Sequence, residues 1–283
     1  MFDTTQTDRL ADDLIVQFDL EMWLGAFEWA GAPLEPAWAK RLALAAEGRD
    51  DGAANYADRV HEWGFGHAVQ ARVRQHRAYV DSLHALCKTW SADAGRLPGQ
   101  AAADSLAALL EIPHLGIARV SKFICFLNPE HYGIYDSRVS YALKDLSLDG
   151  TRRVFPFIGG KQVKHARYVL SDPIVGDARC MAAVYAGFVQ LLRRTAEKLN
   201  MRGGITGPGV ARVCGKQWTP ALLEMALFMA GQHREKTPDI CRLDTGLWRR
   251  HAARRSLPPA TGGSGSVPPP DVGPCTDPAG GAN

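Results

Sequence analysis

"LGIARVSKFICFLNPEHYGIYDSRV", residues Leu115–Val139, holds a glycine turn, an apolar pattern with helical spacing, a loop and a lone aspartate. The helical pattern starts beside Gly116 and stops at Asn128-Pro129, because proline cannot continue a regular helix. Its inward-facing residues are Ile117, Val120, Ser121, Ile124 and Leu127. The stretch therefore predicts a helix that begins next to a glycine and leads, through a loop, to Asp136.

Asp136 stands at the start of a second predicted helix, whose apolar face is Val139, Ala142 and Leu143. We expect Ile134 and Tyr135 before it to be extended. One interpretation needs no chemistry, because aspartate is among the best N-cap residues and contributes about 1 kcal/mol there. The other is a catalytic carboxylate, and the local sequence leaves both open.

Helical periodicity extends over most of the chain, and no alternating run is long enough to predict a sheet. The predicted helices are Leu10–Trp23, Ala68–Trp90, Leu106–Leu110, Met181–Leu199 and one that begins at Thr219-Pro220. The fold class is therefore all-α, in one helical domain over residues 1–255. Residues 256–283 are rich in Pro, Gly and Ser, which predicts a disordered tail.

Composition places the protein among globular chains, with 283 residues of which 46% are hydrophobic. It has no window of about 18 uncharged apolar residues, and acidic residues precede the first apolar run. We therefore expect no membrane span and no secretory signal, and a cytoplasmic location.

The six cysteines stand apart, without Cys-x-x-Cys pairs or histidines at ligand spacing. This pattern favours buried free thiols, and we expect no metal and no cofactor. The net charge of +3 neither requires nor excludes a nucleic-acid partner.

The segment Ile112–Val120 ("IPHLGIARV") resembles the hairpin of the helix-hairpin-helix DNA glycosylase superfamily, which reads Leu-Pro-Gly-x-Gly-x-Lys-x-Ala. Gly116 matches the second glycine, whereas His114 replaces the first. Asp136 follows Ala118 by 18 residues, as the catalytic aspartate does in that superfamily. The resemblance implies a two-lobed architecture with a DNA-binding cleft, in which residues 112–143 form the hairpin and catalytic segment.

The resemblance also implies roles for individual residues. Asp136 would stabilise the oxocarbenium-like sugar and orient water, while the amides of Gly116, Ile117 and Ala118 would hold a DNA phosphate. Ala118 occupies the position of the Schiff-base lysine of bifunctional members, which favours hydrolysis. Lys122, one turn later, remains open as a helper or nucleophile, as a phosphate contact or as a solvated side chain.

Three further features have weaker signals. Trp63 and Phe65 lie among glycines and fit either a loop that wedges into DNA or ordinary loop packing. Tyr135 fits either a base pocket or the core. Lys161 and Lys164 are predicted on one helix face, which would contact phosphates or simply face solvent.

We therefore expect a monomeric, monofunctional DNA glycosylase that acts on double-stranded DNA and leaves an abasic site. A second resemblance, to bacterial proteins with an 8-oxoguanine-glycosylase-like fold involved in anti-phage defence, favours a glucosylated hydroxymethylcytosine as the excised base. The alternatives are an 8-oxoguanine-type glycosylase and lyase that uses Lys122, and a noncatalytic helix-hairpin-helix DNA-binding module.

Overall fold

The computed structural model describes residues 2–27, 33–50, 53–64, 78–92, 99–161, 168–169, 171–233 and 243–256. Twelve α-helices lie in these ranges, numbered α1 to α12 in chain order: Thr4–Gln17, Leu20–Gly25, Leu34–Asp50, Ala53–Gly64, Tyr79–Ala92, Gln100–Leu110, Ile117–Leu127, Ser137–Ala142, Ala178–Met201, Pro208–Cys214, Pro220–His233 and Thr245–Ser256. Two short 3-10 helices occupy Leu143–Asp145 and Pro173–Gly176. The two-residue strands β1 (Gly160–Lys161) and β2 (Tyr168–Val169) pair antiparallel. The mostly helical class is confirmed. The predicted tail lies outside the described residues except for Ser256, which is the last residue of α12 rather than part of a tail.

Two long helices organise the packing. Helix α11 is apolar on nearly every face, which is typical of a helix buried on all sides, and it packs against α8 and α2. Helix α9 packs against α1, α6 and α12, while α7 packs against α3, α4 and α5. Asp136, between α7 and α8, is therefore supported by a continuous core.

Among the described helices, none combines the length and the apolar character needed to cross a membrane.

One helix prediction needs correction, and another is described only in part. The pattern over Leu10–Trp23 forms two helices, because Phe18 is extended and the Asp19 carboxylate accepts a hydrogen bond from the Met22 N–H at 3.0 Å, which starts α2. The helix predicted from Ala68 is described only as α5, since residues 65–77 lie outside the described ranges. Helices α6, α9 and α11 overlap the predictions and extend beyond them.

A buried histidine links α4 to its neighbours. His61 is fully buried, its Nε2 lies 3.1 Å from the Tyr79 hydroxyl, and its ring packs edge-on against Phe123. Burial, with a contribution from the charge of Arg119, lowers the pKa of His61 to about 4. The folded protein therefore holds this ring neutral at pH values where the unfolded chain protonates it.

We expect the free energy of unfolding to fall by about 2 kcal/mol between pH 7 and pH 5 on account of His61, because only the unfolded state takes up a proton in that window. In His61→Phe this contribution should disappear. Urea unfolding at both pH values measures it, with the exposed His84→Gln as the control that retains the wild-type dependence. A His61→Phe protein with the full wild-type loss would contradict the assignment.

Candidate active site

The hairpin before α7 is a tight turn with one unusual backbone angle. Leu115 N–H donates to the Ile112 carbonyl at 3.1 Å, and His114 between them has φ +70°, in the left-handed region that favours glycine. The Arg119 guanidinium donates to the His114 carbonyl at 2.6 Å. His114 thus adopts a glycine-like conformation at the position where the hairpin that this segment resembles carries its first glycine.

Gly116 is the N-cap of α7, as predicted, and is exposed. Its carbonyl accepts from the N–H groups of Arg119 and Val120, whereas the amides of Ile117 and Ala118 have no acceptor within the helix. A Cβ added at Gly116 would meet no atom of the described residues within 4 Å. Among these residues, packing does not require glycine here, and none blocks the helix terminus from an approaching anion.

Asp136 is half-buried and is the N-cap of α8, as predicted. Its Oδ1 accepts hydrogen bonds from the N–H groups of Arg138 at 2.9 Å and Val139 at 3.0 Å. Among the described residues, no hydrogen bond to Oδ2 is found. One carboxylate oxygen therefore forms the cap, and the other is not used by the described part of the chain.

The segment 133–135, which leads to Asp136, is held from several sides. The Tyr185 hydroxyl donates to the Gly133 carbonyl at 2.9 Å, and the Tyr135 N–H donates to the Ser121 hydroxyl at 3.1 Å. Tyr135 itself is fully buried, with its hydroxyl 2.6 Å from the Pro156 carbonyl. The structure thus places Tyr135 in the core rather than on a pocket wall. The two hydrogen bonds of Tyr135 hold the backbone immediately before Asp136.

Lys122 lies on α7, half-buried and close to the charge of Asp136. Burial lowers the pKa of its amine, and the negative charges of Asp136 and Glu224 oppose that effect. The ammonium lies 5.8 Å from the centre of the Trp63 ring. Of the three roles left open by the sequence, a solvated surface side chain fits these surroundings least.

An ion pair that the sequence did not reveal lies within electrostatic reach of Lys122. Arg41 Nη1 on α3 and Glu224 Oε2 on α11 are 2.6 Å apart, and each side chain is only 1% exposed. Burial raises the pKa of Glu224, although the charge of Arg41 opposes it. The one available signal was a lone acid inside the apolar run "PALLEMALFMA", since a buried charge requires a partner.

Trp63 lies in the last turn of α4, so the predicted glycine-rich loop is wrong for this residue, and Phe65 lies outside the described ranges. The helix continues to Gly64 because Trp63 packs edge-on against Phe126, with ring centres 4.5 Å apart. On another side Trp63 borders a cavity of about 180 Å³. The other lining residues are Lys40, Ala43, Leu44, Glu47, Arg59 and Glu62.

Lys161 does not lie on a helix. It belongs to β1 and pairs with Tyr168, so the predicted helix is wrong at this residue. Lys164 lies outside the described residues.

The fold brings Asp136, Lys122, Arg41 and Glu224 into one cluster of charges, with the Gly116 terminus at the start of the helix that carries Lys122. In the described part of the chain, no three His, Cys, Asp or Glu side chains are grouped as a metal site would group them. Comparison of the chain with protein-family models, with curated proteins and with solved structures found no match.

Proposed function

We propose that this protein is a monofunctional DNA glycosylase that binds duplex DNA as a monomer, in a cleft between two lobes beside the hairpin. The observation that carries the proposal is Asp136, whose carboxylate lies at the end of a firmly held segment, with one oxygen in the cap and the other in no hydrogen bond with the described residues. Two further features support it: the open terminus at Gly116 and the glycine-like conformation of His114.

In the proposed reaction the target nucleotide rotates out of the duplex, and the amides at the Gly116 terminus hold a neighbouring backbone phosphate. The bond from C1′ to the base nitrogen breaks, and the base leaves with the electron pair and takes up a proton. Asp136 stabilises the positive charge on the sugar and orients water, whose oxygen bonds to C1′ as it loses a proton. The product is an intact strand with an abasic site.

We propose a bulky modified pyrimidine, glucosylated hydroxymethylcytosine, as the base removed, and anti-phage defence as the role. The cavity beside Trp63 supports a substrate with a polar extension, because it has room for about six water molecules at roughly 30 Å³ each and its lining offers charged groups and an aromatic face. The Trp63 ring borders this cavity and also lies 5.8 Å from the Lys122 ammonium. Lys122 is in turn within electrostatic reach of Asp136.

The test is to incubate the protein with unmodified DNA, oxidatively damaged DNA and DNA that contains glucosylated hydroxymethylcytosine, and to identify released bases by mass spectrometry. Release of the glucosylated base alone supports the full proposal. Release of 8-oxoguanine alone would support a glycosylase but overturn the proposed substrate. No release from any of these DNAs would favour the noncatalytic DNA-binding module.

A second candidate, a glycosylase with lyase activity, is favoured by one observation: burial lowers the pKa of the Lys122 amine, which increases its neutral, nucleophilic fraction. Ala118, half-buried one turn earlier on α7, cannot form an imine, and its position favours hydrolysis. The two mechanisms leave different products.

We expect strands treated with the protein to break only after hot alkali, and borohydride added during turnover to trap no covalent protein–DNA adduct. The reason is that water, not an amine, attacks C1′ in the proposed reaction. Denaturing gels measure both results, and Lys122→Met serves as the matched variant. An adduct that forms with the wild type and is lost in Lys122→Met would establish the lyase instead.

A further inference from the structure

Arg138, in the first turn of α8, is held against α11. A Cβ built on Gly231 would overlap the Arg138 carbonyl oxygen and would lie 3.2 Å from the Ala142 nitrogen, so the two helices approach closely at this glycine. Phe228 precedes Gly231 by about one turn of α11, and the Arg138 guanidinium lies over its ring, 4.4 Å from the ring centre. That ring packs against the buried Phe27, with ring centres 5.7 Å apart. Both the backbone and the side chain of Arg138 therefore contact α11.

The surroundings of Arg138 differ from those of Arg153, which also lies over an aromatic ring. Arg153 is buried, its guanidinium is 3.9 Å from the centre of the Phe157 ring, and it donates to both oxygens of Asp172 at 2.7 and 2.6 Å. Arg138 is half-buried, and among the described residues no hydrogen bond or ion pair of its guanidinium is found. The Phe228 ring covers one face of this guanidinium, whereas its N–H donors lie at the edge. Arg138 is thus a supported cation whose donors the described part of the chain does not use.

The position of Arg138 in the chain places it beside the candidate active site. It follows Asp136 by two residues, so their Cα atoms are at most about 7 Å apart. In the proposed reaction the sugar of the target nucleotide lies at Asp136, and the phosphates on either side of that sugar come within reach of the arginine. A planar guanidinium matches the geometry of a phosphate and can donate two parallel N–H bonds to it.

We infer that Arg138 is a DNA-binding residue, which contacts a backbone phosphate next to the target nucleotide. The inference rests on the proposed function for the identity of the anion, but the contact itself can be measured by DNA binding without turnover. The Phe228 ring holds the guanidinium in place before DNA binds, so less side-chain freedom is lost in the complex. This contact lies on a different helix from the Gly116 terminus and adds to it.

Four variants separate the charge, the planar fork and the aromatic support. R138M removes the charge and keeps an unbranched chain over the ring, whereas R138K keeps the charge without the fork. F228L keeps the arginine and removes its aromatic support. R202M is the control for the loss of one cation, because Arg202 is exposed just after α9 and already pairs with Asp12 at 3.3 Å. Thermal melting verifies that each variant is folded.

We expect the Kd for a duplex with one central reduced abasic site, measured by fluorescence anisotropy, to rise about tenfold in R138M and about threefold in R138K and F228L. The slope of log affinity against log salt concentration should be smaller by about 0.9 in R138M, because one phosphate is no longer neutralised. R138K and F228L keep the charge and should keep the wild-type slope. R202M should keep that slope too, with a Kd within about twofold of wild type.

Equal slopes in R138M and R202M would overturn the inference, and base release by the wild type would then leave the glycosylase proposal standing. A smaller slope in R138M alone, together with no base release from any DNA, would support the phosphate contact while the glycosylase proposal fails. If the wild type did not bind the duplex, both would be overturned.

Discussion

Asp136→Asn is expected to lower the rate of base release on the order of 10³-fold, while affinity for duplex DNA stays within about twofold. Asparagine is as good an N-cap as aspartate, and its side-chain oxygen can accept the Arg138 and Val139 N–H groups. The fold of α8 should therefore persist. What disappears is the negative charge that would face the positive sugar in the transition state. Single-turnover assays give the rate, and fluorescence anisotropy with the same DNA gives the affinity.

Asp177→Asn is the matched control for this variant. Asp177 is the N-cap of α9 and accepts the Cys180 N–H at 2.9 Å, so the substitution removes the charge of a capping aspartate in the same way. We expect its base release to stay within about twofold of wild type. If Asp136→Asn retained wild-type release, the carboxylate would be only a cap, and if neither protein released base, the chain would be the noncatalytic module.

The part of this site that could be predicted from sequence depends on local signals. Helix α7 and the N-cap position of Asp136 follow from a glycine, a proline and an apolar period, all within a few turns of each other. The break at Phe18 is local too, but a periodic pattern continues across it and hides the single extended residue.

The remaining features depend on contacts between distant parts of the chain. Arg41 and Glu224 are 183 residues apart, and no local pattern in α3 distinguishes Arg41 from an exposed cation. Trp63 continues its helix because Phe126 packs against it, which the adjacent glycines do not indicate. Lys161 has helical spacing to Lys164 but pairs with Tyr168 in a strand.

Glu224→Met is expected to lower the free energy of unfolding by about 3–5 kcal/mol, because it leaves the Arg41 guanidinium buried without its carboxylate. Few single substitutions cost this much, and those that do act through a named defect such as an unpaired buried charge. Urea unfolding at pH 7 measures the loss. The matched comparison is R41M/E224M, in which the loss should be largely recovered since no charge remains buried.

Arg41→Met should behave differently, because its unpaired partner can take up a proton whereas a guanidinium cannot lose one. Burial already raises the pKa of Glu224, and removing Arg41 removes the main charge that opposes this. A pKa raised in the folded state means that stability is greatest below the unfolded pKa and falls as pH rises through the folded value. Arg41→Met should therefore approach wild-type stability near pH 4.5 and lose it toward neutral pH, while the deficit of Glu224→Met should not follow this dependence. A Glu224→Met loss below about 1 kcal/mol would show that Arg41 reaches water or another acceptor.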